Sequence, residues 1–284
     1  MNDATLLRSL ITVPYLPLLG PVHPECLDDA LVADVFRIGS TDGLLPYDKD
    51  RRWYATKPAM ILVETIARTP GGMIIPVVTR QKQRVRLLCY GTVAPDALVE
   101  CVAVINKQIP NYQISVVNFA ATATAAVADA ATIIFLKRFT TGDVRPADPG
   151  VERIAAAEAG DLASLAADAD NGGFGFLARE YGARKLGSTF VARDRGEVVA
   201  AVGPIDTMTD SAGRRFCLPP YVGVASKFRG RGLGTRVWAA AMAEAAAAGA
   251  AYLLLQAEAG QAAASFYERQ GLEKLGAVIT RPVV

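Results

Sequence analysis

The residues with the clearest chemical potential lie at 229–234, where the chain reads RGRGLG between an apolar run and an alanine-rich segment. This order predicts a strand, a turn and a helix. The first amides of a helix have no partner within it, and they lie at the positive end of its dipole. The glycines would let the backbone approach a ligand closely, and Arg229 and Arg231 would add positive charge. The stretch therefore predicts an anion site that suits a diphosphate.

Two familiar phosphate-binding patterns do not fit this stretch. The Walker pattern G-x-x-x-x-G-K-[ST] is absent, and G-x-G-x-x-G fails because Thr235 stands where the last glycine belongs. In a dinucleotide fold an acidic residue about 20 residues further on holds the ribose, and Glu258 comes somewhat too late for that role. The residues alone leave two interpretations open: a phosphate site of another kind, or a tight strand-to-helix turn without a ligand.

A resemblance to a known family gives the stretch a specific interpretation. The segment VASKFRGRGLG at 224–234 resembles the acyl-CoA pyrophosphate loop of the GNAT superfamily of N-acetyltransferases. A second landmark of that family follows at the usual spacing. The matching residues are Arg229, Gly232 and Gly234 in the loop, in register after Val224, and Ala263, Phe266, Tyr267, Gly271 and Leu272 in the second landmark. The resemblance covers about residues 150–284 and departs from the family at Gly260, where many members carry Asn.

The resemblance implies acetyl-CoA or another acyl-CoA as co-substrate, and no metal. An amine would attack the thioester directly, without a covalent enzyme intermediate. The pantetheine arm is expected along the strand before the loop, and the pyrophosphate on the loop itself. The residues expected to bind this co-substrate are Val222, Gly223, Val224, Arg229, Gly230, Arg231, Gly232, Leu233, Gly234 and Thr235.

Two side chains are candidates for proton transfer. Tyr267 matches the position of the family's usual general acid. Its reference pKa of about 10 exceeds the value of about 8.5 for a thiol, so it could protonate the departing thiolate. A core tyrosine with only a packing role is the alternative. The base stays open between Glu258, at the end of the predicted strand YLLLQAE, and a water molecule held by backbone carbonyls.

Composition excludes several other classes of protein. The 284 residues are 51% hydrophobic and 20% charged with a net charge of +2, which indicates a folded protein that is not a dedicated nucleic-acid binder. No apolar run of about 18 residues predicts a membrane helix, and we expect a cytoplasmic protein. His23, the only histidine, excludes a multi-histidine metal site and is predicted in an exposed loop. Cys26, Cys89, Cys101 and Cys217 form no C-x-x-C pair and are expected to be buried thiols.

The apolar patterning predicts an α/β (α+β) fold of the GNAT type, with a mixed, mainly antiparallel sheet flanked by helices. The segment TTGDVRPADPG at 140–150 is a predicted linker. It divides the chain into an N-terminal domain at 1–145 and an acyl-CoA-binding domain at 150–284. In the second domain a hairpin is predicted to turn at 194–196, and Pro219–Pro220 is predicted to interrupt the strand before the loop.

The two halves share a predicted order of hairpin, strand, helix, strand, helix and strand, which indicates an internal duplication and two tandem GNAT-like domains. The upstream copy begins with a predicted strand at 59–68 and includes a predicted helix at 122–130. At the position of the loop it reads CYGTVAPDA, with one glycine and no arginine. The N-terminal domain is therefore predicted to be a degenerate copy or an accessory domain.

The leading hypothesis is an acyl-CoA-dependent N-acyltransferase that acts on a small-molecule amine. One alternative is a GNAT-like transferase that takes an aminoacyl group from charged tRNA, for which the basic run RQKQR at 80–84 is weak support. Another is a CoA-binding protein without catalytic activity. The sequence predicts no membrane partner, and it leaves the oligomeric state and the acceptor amine open.

Overall fold

The computed structural model describes residues 2–122, 130–143, 148–154, 162–168, 172–181 and 186–283. The helices are α1 (Asp3–Leu10), α2 (Asp29–Gly39), α3 (Pro95–Gln108), α4 (Ala163–Ala166), α5 (Gly172–Tyr181), α6 (Leu233–Ala247) and α7 (Ala262–Arg269). The strands of the first half are β1 (Tyr15–Leu16), β2 (Gly20–Pro21), β3 (Met60–Ile61), β4 (Ala67–Thr69), β5 (Gly72–Thr79), β6 (Arg84–Gly91), β7 (Gln113–Ala120) and β8 (Ala131–Arg138). Those of the second half are β9 (Glu152–Ile154), β10 (Ser188–Asp194), β11 (Glu197–Ile205), β12 (Thr207–Thr209), β13 (Arg215–Cys217), β14 (Tyr221–Val224), β15 (Tyr252–Glu258) and β16 (Glu273–Pro282).

The chain forms two compact units that are not its two consecutive halves. Unit 1 comprises Met1–Leu136, Asp210–Ala212 and Leu254–Val284, and unit 2 comprises Lys137–Thr209 and Gly213–Leu253. The division falls inside β8 and β15. These units are the compact parts of the folded chain. The boundary predicted at 145 to 150 separates two domains related by duplication, which is a different division, and it stays a prediction.

Unit 1 is built on a sheet with the strand order β15-β8-β16-β7-β6-β5-β3. The C-terminal strand β16 lies between β7 and β8 and is antiparallel to both. Val278, for example, is paired with Phe119 on one side and with Thr132 on the other. The last strand of the chain therefore completes the sheet of the N-terminal half.

Apolar side chains cover both faces of this sheet because successive residues of a strand point to opposite sides. Met73 and Ile75 belong to a core that includes α1 and α2. Ile74 and Val78 belong to a second core, which contains Cys101 of α3. The helices α1 and α2 and the segment at 13–22 therefore pack on one face, and α3 packs on the other.

The parallel strands β6 and β7 diverge towards their carboxyl ends. They are paired from Arg84 and Gln113 to Leu88 and Val117. Beyond these positions β6 stays with β5, and β7 stays with β16. Tyr90 and Phe119 lie two residues beyond the last paired positions, and their rings stack with their centroids 4.7 Å apart. The hydroxyl of Tyr90 donates to the carbonyl of Tyr15 at 3.1 Å.

Unit 2 contains a second, four-stranded sheet with the order β14-β11-β10-β9. Its pairs are antiparallel. Strand β11 is buried from Val198 to Ile205, so both faces of the sheet are covered. Helix α6 packs on β10, β11 and β14, while α4 contacts β11 and α5 contacts β14.

The predicted fold class is confirmed, and the hairpin turns between β10 and β11 as expected. Two expectations were wrong. The strand predicted at 59–68 is interrupted by a single 3-10 turn at Val63–Thr65, which leaves the short strands β3 and β4. His23 is not exposed: only 3% of its surface is accessible to solvent. Its Nδ1 accepts the N–H of Glu25 at 3.2 Å. Of the helix predicted at 122–130, residues 123–129 lie outside the described residues.

Within the described ranges, no helix is both long and apolar enough to cross a membrane.

Candidate active site

The strand before the glycine-rich loop is interrupted, as its two prolines predict. Strand β13 pairs in parallel with β15, joining Phe216 to Tyr252 and Cys217 to Leu253. The chain then passes through Pro219 and enters β14, which pairs with β11 instead. Proline has no N–H to donate to a ladder, so this dipeptide suits the point where the chain changes partner. Strand β14 is the last strand of its sheet, and no other described strand pairs with its second edge, which is called the open edge below.

The open edge of β14 presents particular backbone groups. The N–H of Ala225 donates to the carbonyl of Val199 on β11 at 2.9 Å. Because the direction of the N–H and C=O groups alternates along an antiparallel strand, Gly223 also faces β11 and pairs with Ala201. The groups of Val222 and Val224 consequently point to the open edge. Of the three residues expected to meet the pantetheine arm, two are thus oriented to pair with it.

The loop after β14 needs glycine at two positions. A 3-10 turn at Ser226–Phe228 leads into Arg229, whose Nε donates to the carbonyl of Val224 at 3.2 Å. Gly230 and Gly232 have φ values of +78° and +75°, a region that side-chain-bearing residues rarely adopt. A Cβ at either glycine would have no atom within 4 Å. Glycine is therefore required here by backbone conformation and not by crowding.

The amides of this loop are the central feature of the site. Among the described residues, no protein acceptor receives the backbone N–H of any residue from Gly230 to Gly234. Gly232 is the N-cap of α6 and offers no side-chain acceptor to the first turn. Five consecutive amides without a described acceptor thus lie at the positive end of a 15-residue helix. Such a cradle is the arrangement by which backbone groups bind phosphate.

Positive side chains surround the cradle. The guanidinium of Arg231 lies 5.0 Å from the ring centroid of Phe228. No carboxylate of the described residues forms an ion pair with Lys227 or Arg231. Arg236, one turn further along α6, is instead bound at 2.7 and 2.8 Å by both oxygens of Asp148, and this contact lowers the pKa of Asp148 to about 2. The charge at the loop itself is therefore available to an anion.

A contact between residues far apart in the sequence fixes the start of the loop. The carboxylate of Asp168 accepts the backbone N–H of Ser226 at 2.8 Å and its hydroxyl at 2.9 Å. Asp168 follows α4, so this pair joins the helical segment to the loop. The two residues are 58 positions apart, and no local pattern marks them as partners.

The two proton-transfer candidates lie in unit 1. Tyr267 is on α7, is 7% exposed, and its ring lies 5.7 Å from that of Phe135. Burial raises the pKa of Tyr267 to about 12, so its hydroxyl is protonated at every physiological pH. Glu258 is the exposed last residue of β15, and its carbonyl accepts the N–H of Gln261 at 3.3 Å.

The departure at position 260 has a conformational explanation. Gly260 has a φ of +76° and follows the end of β15. Glycine and asparagine are the residues that most readily adopt this left-handed conformation. The left-handed conformation at position 260 is therefore one that both glycine and asparagine can adopt.

The cysteines are buried thiols, as predicted. Burial raises the pKa of Cys217 to about 12, which leaves it protonated and unsuited to nucleophilic attack. Within the described ranges, no cluster of three or more His, Cys, Asp or Glu side chains is arranged to hold a metal ion.

Comparison with known proteins agrees with this geometry. Residues 185–274 match the family model described as an acetyltransferase (GNAT) domain. Residues 185–274 belong to the GNAT superfamily. The match includes β10, β11, β13, β14, the loop, α6, β15 and α7, and therefore all the candidate site residues. The match supports acyl transfer in general as the activity of this domain.

Solved structures resemble the larger part of the chain in fold. A GCN5-related N-acetyltransferase from Sphaerobacter thermophilus is 14% identical with a TM-score of 0.51, and the match covers 99% of this chain and 92% of that one. A functionally unknown conserved protein from Staphylococcus epidermidis is 13% identical with a TM-score of 0.50, covering 77% of this chain and 94% of that one. Because the sequence identities are this low, these structures show a similar fold and nothing about function. No curated protein sequence matches the chain.

Proposed function

We propose that the chain is an acyl-CoA-dependent N-acyltransferase that transfers an acetyl or another acyl group to the amine of a small molecule. The observation that carries the proposal is the run of amides from Gly230 to Gly234, which have no acceptor among the described residues. In the proposed complex these amides, together with that of Thr235, receive the two linked phosphates of coenzyme A. Arg229 and Arg231 add charge around them.

The open edge of β14 supports a second part of the binding mode. The pantetheine arm carries amide groups, and these can pair with an unpaired strand edge as an added strand does. The outward N–H and C=O of Val222 and the outward N–H of Val224 are suited to this pairing, whereas the carbonyl of Val224 already accepts the Nε of Arg229. An N–H at this edge would also stabilise the oxyanion that forms when the amine attacks the thioester carbonyl.

The proposed chemistry needs one acid and one base. Tyr267 protonates the departing thiolate of coenzyme A, and its raised pKa keeps the proton in place until the thiolate forms. The attacking amine loses its proton to a water molecule or to Glu258. No covalent acyl-enzyme forms, which agrees with the buried, protonated state of Cys217.

A thiol-release assay tests the proposal. The purified full-length chain is incubated with acetyl-CoA and a panel of primary amines, and free CoA is followed with a thiol reagent while the acetylated amine is identified by its mass. We expect CoA release that depends on the amine. If CoA binds tightly but no amine causes its release from acetyl-CoA, the result would favour a non-catalytic CoA-binding protein. Transfer from aminoacyl-tRNA, with none from acetyl-CoA, would favour the tRNA-dependent alternative.

We further propose that the N-terminal domain, residues 1–145, is a degenerate GNAT-like copy without a cofactor site. Strands β6 and β7 diverge as the strands of a GNAT cleft do, but Tyr90 and Phe119 fill the opening. The following helix α3 begins at Pro95, which has no N–H to offer, and its N-cap Ala94 is not preceded by a basic residue. These features of the described residues support the proposal that this half binds neither a pantetheine arm between β6 and β7 nor a diphosphate at the start of α3.

One CoA is therefore expected to bind per chain. Isothermal titration of the full-length protein with CoA should give a stoichiometry of one. A stoichiometry of two would contradict the assignment of the N-terminal domain as degenerate, although it would leave the C-terminal site intact.

A further inference from the structure

Tyr221 is an exposed aromatic residue at the start of β14. Its side chain is 40% exposed, which makes it one of the few large apolar side chains of the described residues with an accessible surface. The next positions of the strand, Val222 and Gly223, are half-buried and buried. An exposed ring at this end of an edge strand is a candidate contact for a ligand.

Helix α5 holds the ring in place. The ring centroid of Tyr221 lies 6.4 Å from that of Phe174 and 6.3 Å from that of Phe176. The ring also lies against the backbone of Gly173, where an added Cβ would come within 2.2 Å of it. Phe174 is fully buried and anchors the group. Because only glycine allows this approach, the position of the Tyr221 ring depends on Gly173 of α5.

The direction of β14 places Tyr221 at the reacting end of the proposed co-substrate. The phosphate cradle follows the carboxyl end of the strand, and a pantetheine arm along the open edge would run from there towards Tyr221. The strand rises about 3.3 Å per residue, so Tyr221 lies about 10 Å from Val224 in the direction of the thioester. This step rests on the proposed function.

We propose that Tyr221 and Phe176 form an acceptor subsite for a primary amine carried on an apolar body. The amine arrives as an ammonium ion, which the negative face of an aromatic ring attracts, and the ring area also favours an apolar neighbour. A hydroxyl-covered amine, such as an amino sugar, would leave its polar groups against these rings and bind less well. Tyr221 is thus a specificity-determining residue of the acyl-transfer site.

Steady-state kinetics with two probe amines tests this subsite. Acetyl-CoA is kept saturating, and 2-phenylethylamine is compared with glucosamine. We expect kcat/KM for 2-phenylethylamine to exceed that for glucosamine by about tenfold or more, the discrimination that a pocket of matched polarity provides. In Tyr221→Ala the KM for 2-phenylethylamine should rise by about tenfold, while the KM for acetyl-CoA should stay within about twofold.

Two further variants separate contact from structure. Tyr221→Phe keeps the ring and should retain most of the affinity for 2-phenylethylamine, whereas Tyr221→Leu keeps apolar volume without a π face and should bind it more weakly than Tyr221→Phe. Tyr54→Ala removes a tyrosine of similar exposure, 45%, from unit 1 and serves as the matched control.

Each outcome distinguishes the subsite from the proposed function. A preference for glucosamine, an unchanged amine KM in Tyr221→Ala, or an equal rise in the KM for acetyl-CoA would overturn the acceptor subsite and leave acyl transfer standing. Absence of CoA release with every amine would overturn both. If Tyr221→Ala fails to fold, the comparison of Tyr221→Phe with Tyr221→Leu decides, because equal amine KM values in these two variants would overturn the role of the ring.

Discussion

Replacing Tyr267 with phenylalanine is expected to lower kcat for amine acetylation by about 100-fold or more, the usual contribution of a positioned general acid. The ring that packs near Phe135 is kept, and only the hydroxyl is lost. Because burial raises the pKa of this hydroxyl to about 12, it carries its proton throughout the pH range in which the amine becomes neutral. Tyr267 should therefore cause no fall in kcat below about pH 10.

The measurement is the initial rate of CoA release, accompanied by titration with CoA. Binding of CoA should be nearly unchanged in Tyr267→Phe, because the lost group acts on the departing thiolate. Tyr90→Phe is the matched control: it makes the same chemical change at a buried tyrosine, whose hydroxyl donates to the carbonyl of Tyr15. That variant should lose about 1 kcal/mol of stability and no turnover. A Tyr267→Phe enzyme with the kcat of the parent would show that another group supplies the proton.

Placing a carboxylate in the phosphate cradle should weaken CoA binding by about 100-fold, since a unit charge at close range to a diphosphate costs about 3 kcal/mol even with strong solvent screening. Thr235→Asp makes this change at the third residue of α6, an exposed position. An acidic residue in the first turn favours the helix through its dipole and can accept from the free amides. The thermal midpoint of Thr235→Asp should accordingly stay equal to that of the parent or rise.

Thr235→Asn is the control for Thr235→Asp, because it has the same shape without the charge. Isothermal titration with CoA should find Thr235→Asn within a few-fold of the parent and Thr235→Asp far weaker. Raised salt should weaken CoA binding to the parent and reduce the difference between the two variants, since ions screen exposed charges. Equal affinity of Thr235→Asp and Thr235→Asn would mean that the phosphates lie elsewhere.

Local sequence signals predicted the part of the site that depends on the backbone. Gly230 and Gly232 mark a left-handed turn that few other residues adopt, and the alanine-rich segment after them forms α6 with its amides exposed at the start. Pro219–Pro220 marks the change of partner from β15 to β11, because proline cannot continue a ladder. Each of these features is decided within about ten residues of chain, which is the range over which sequence patterns are informative.

Contacts between distant segments could not be predicted in the same way. The bond from Ser226 to Asp168 and the seating of Tyr221 on Gly173 depend on how separate elements pack. The C-terminal strand β16 fits between β7 and β8, which no local property of its sequence indicates. The burial of His23 is of the same kind, since prolines on either side favour a loop but do not decide whether other segments cover it.

The N-terminal half illustrates a second limit. Its order of strands and helices indicated a GNAT-like copy, and the single glycine of CYGTVAPDA indicated that the copy is degenerate. The packing that supports the proposed degeneracy joins distant residues, because the rings of Tyr15 and Tyr90 both lie against that of Phe119. These residues are spread over about a third of the chain, so no motif includes them.

The central claim is that the loop amides hold the diphosphate of coenzyme A, and nuclear magnetic resonance tests it most directly. The full-length protein is labelled with nitrogen-15 and titrated with CoA, and the amide resonances of Gly230, Gly232 and Gly234 are followed. Because hydrogen bonds to phosphate deshield an amide proton, these signals should move downfield together as CoA saturates the protein. If CoA binds and shifts other amides while these three stay in place, the loop is not the phosphate site.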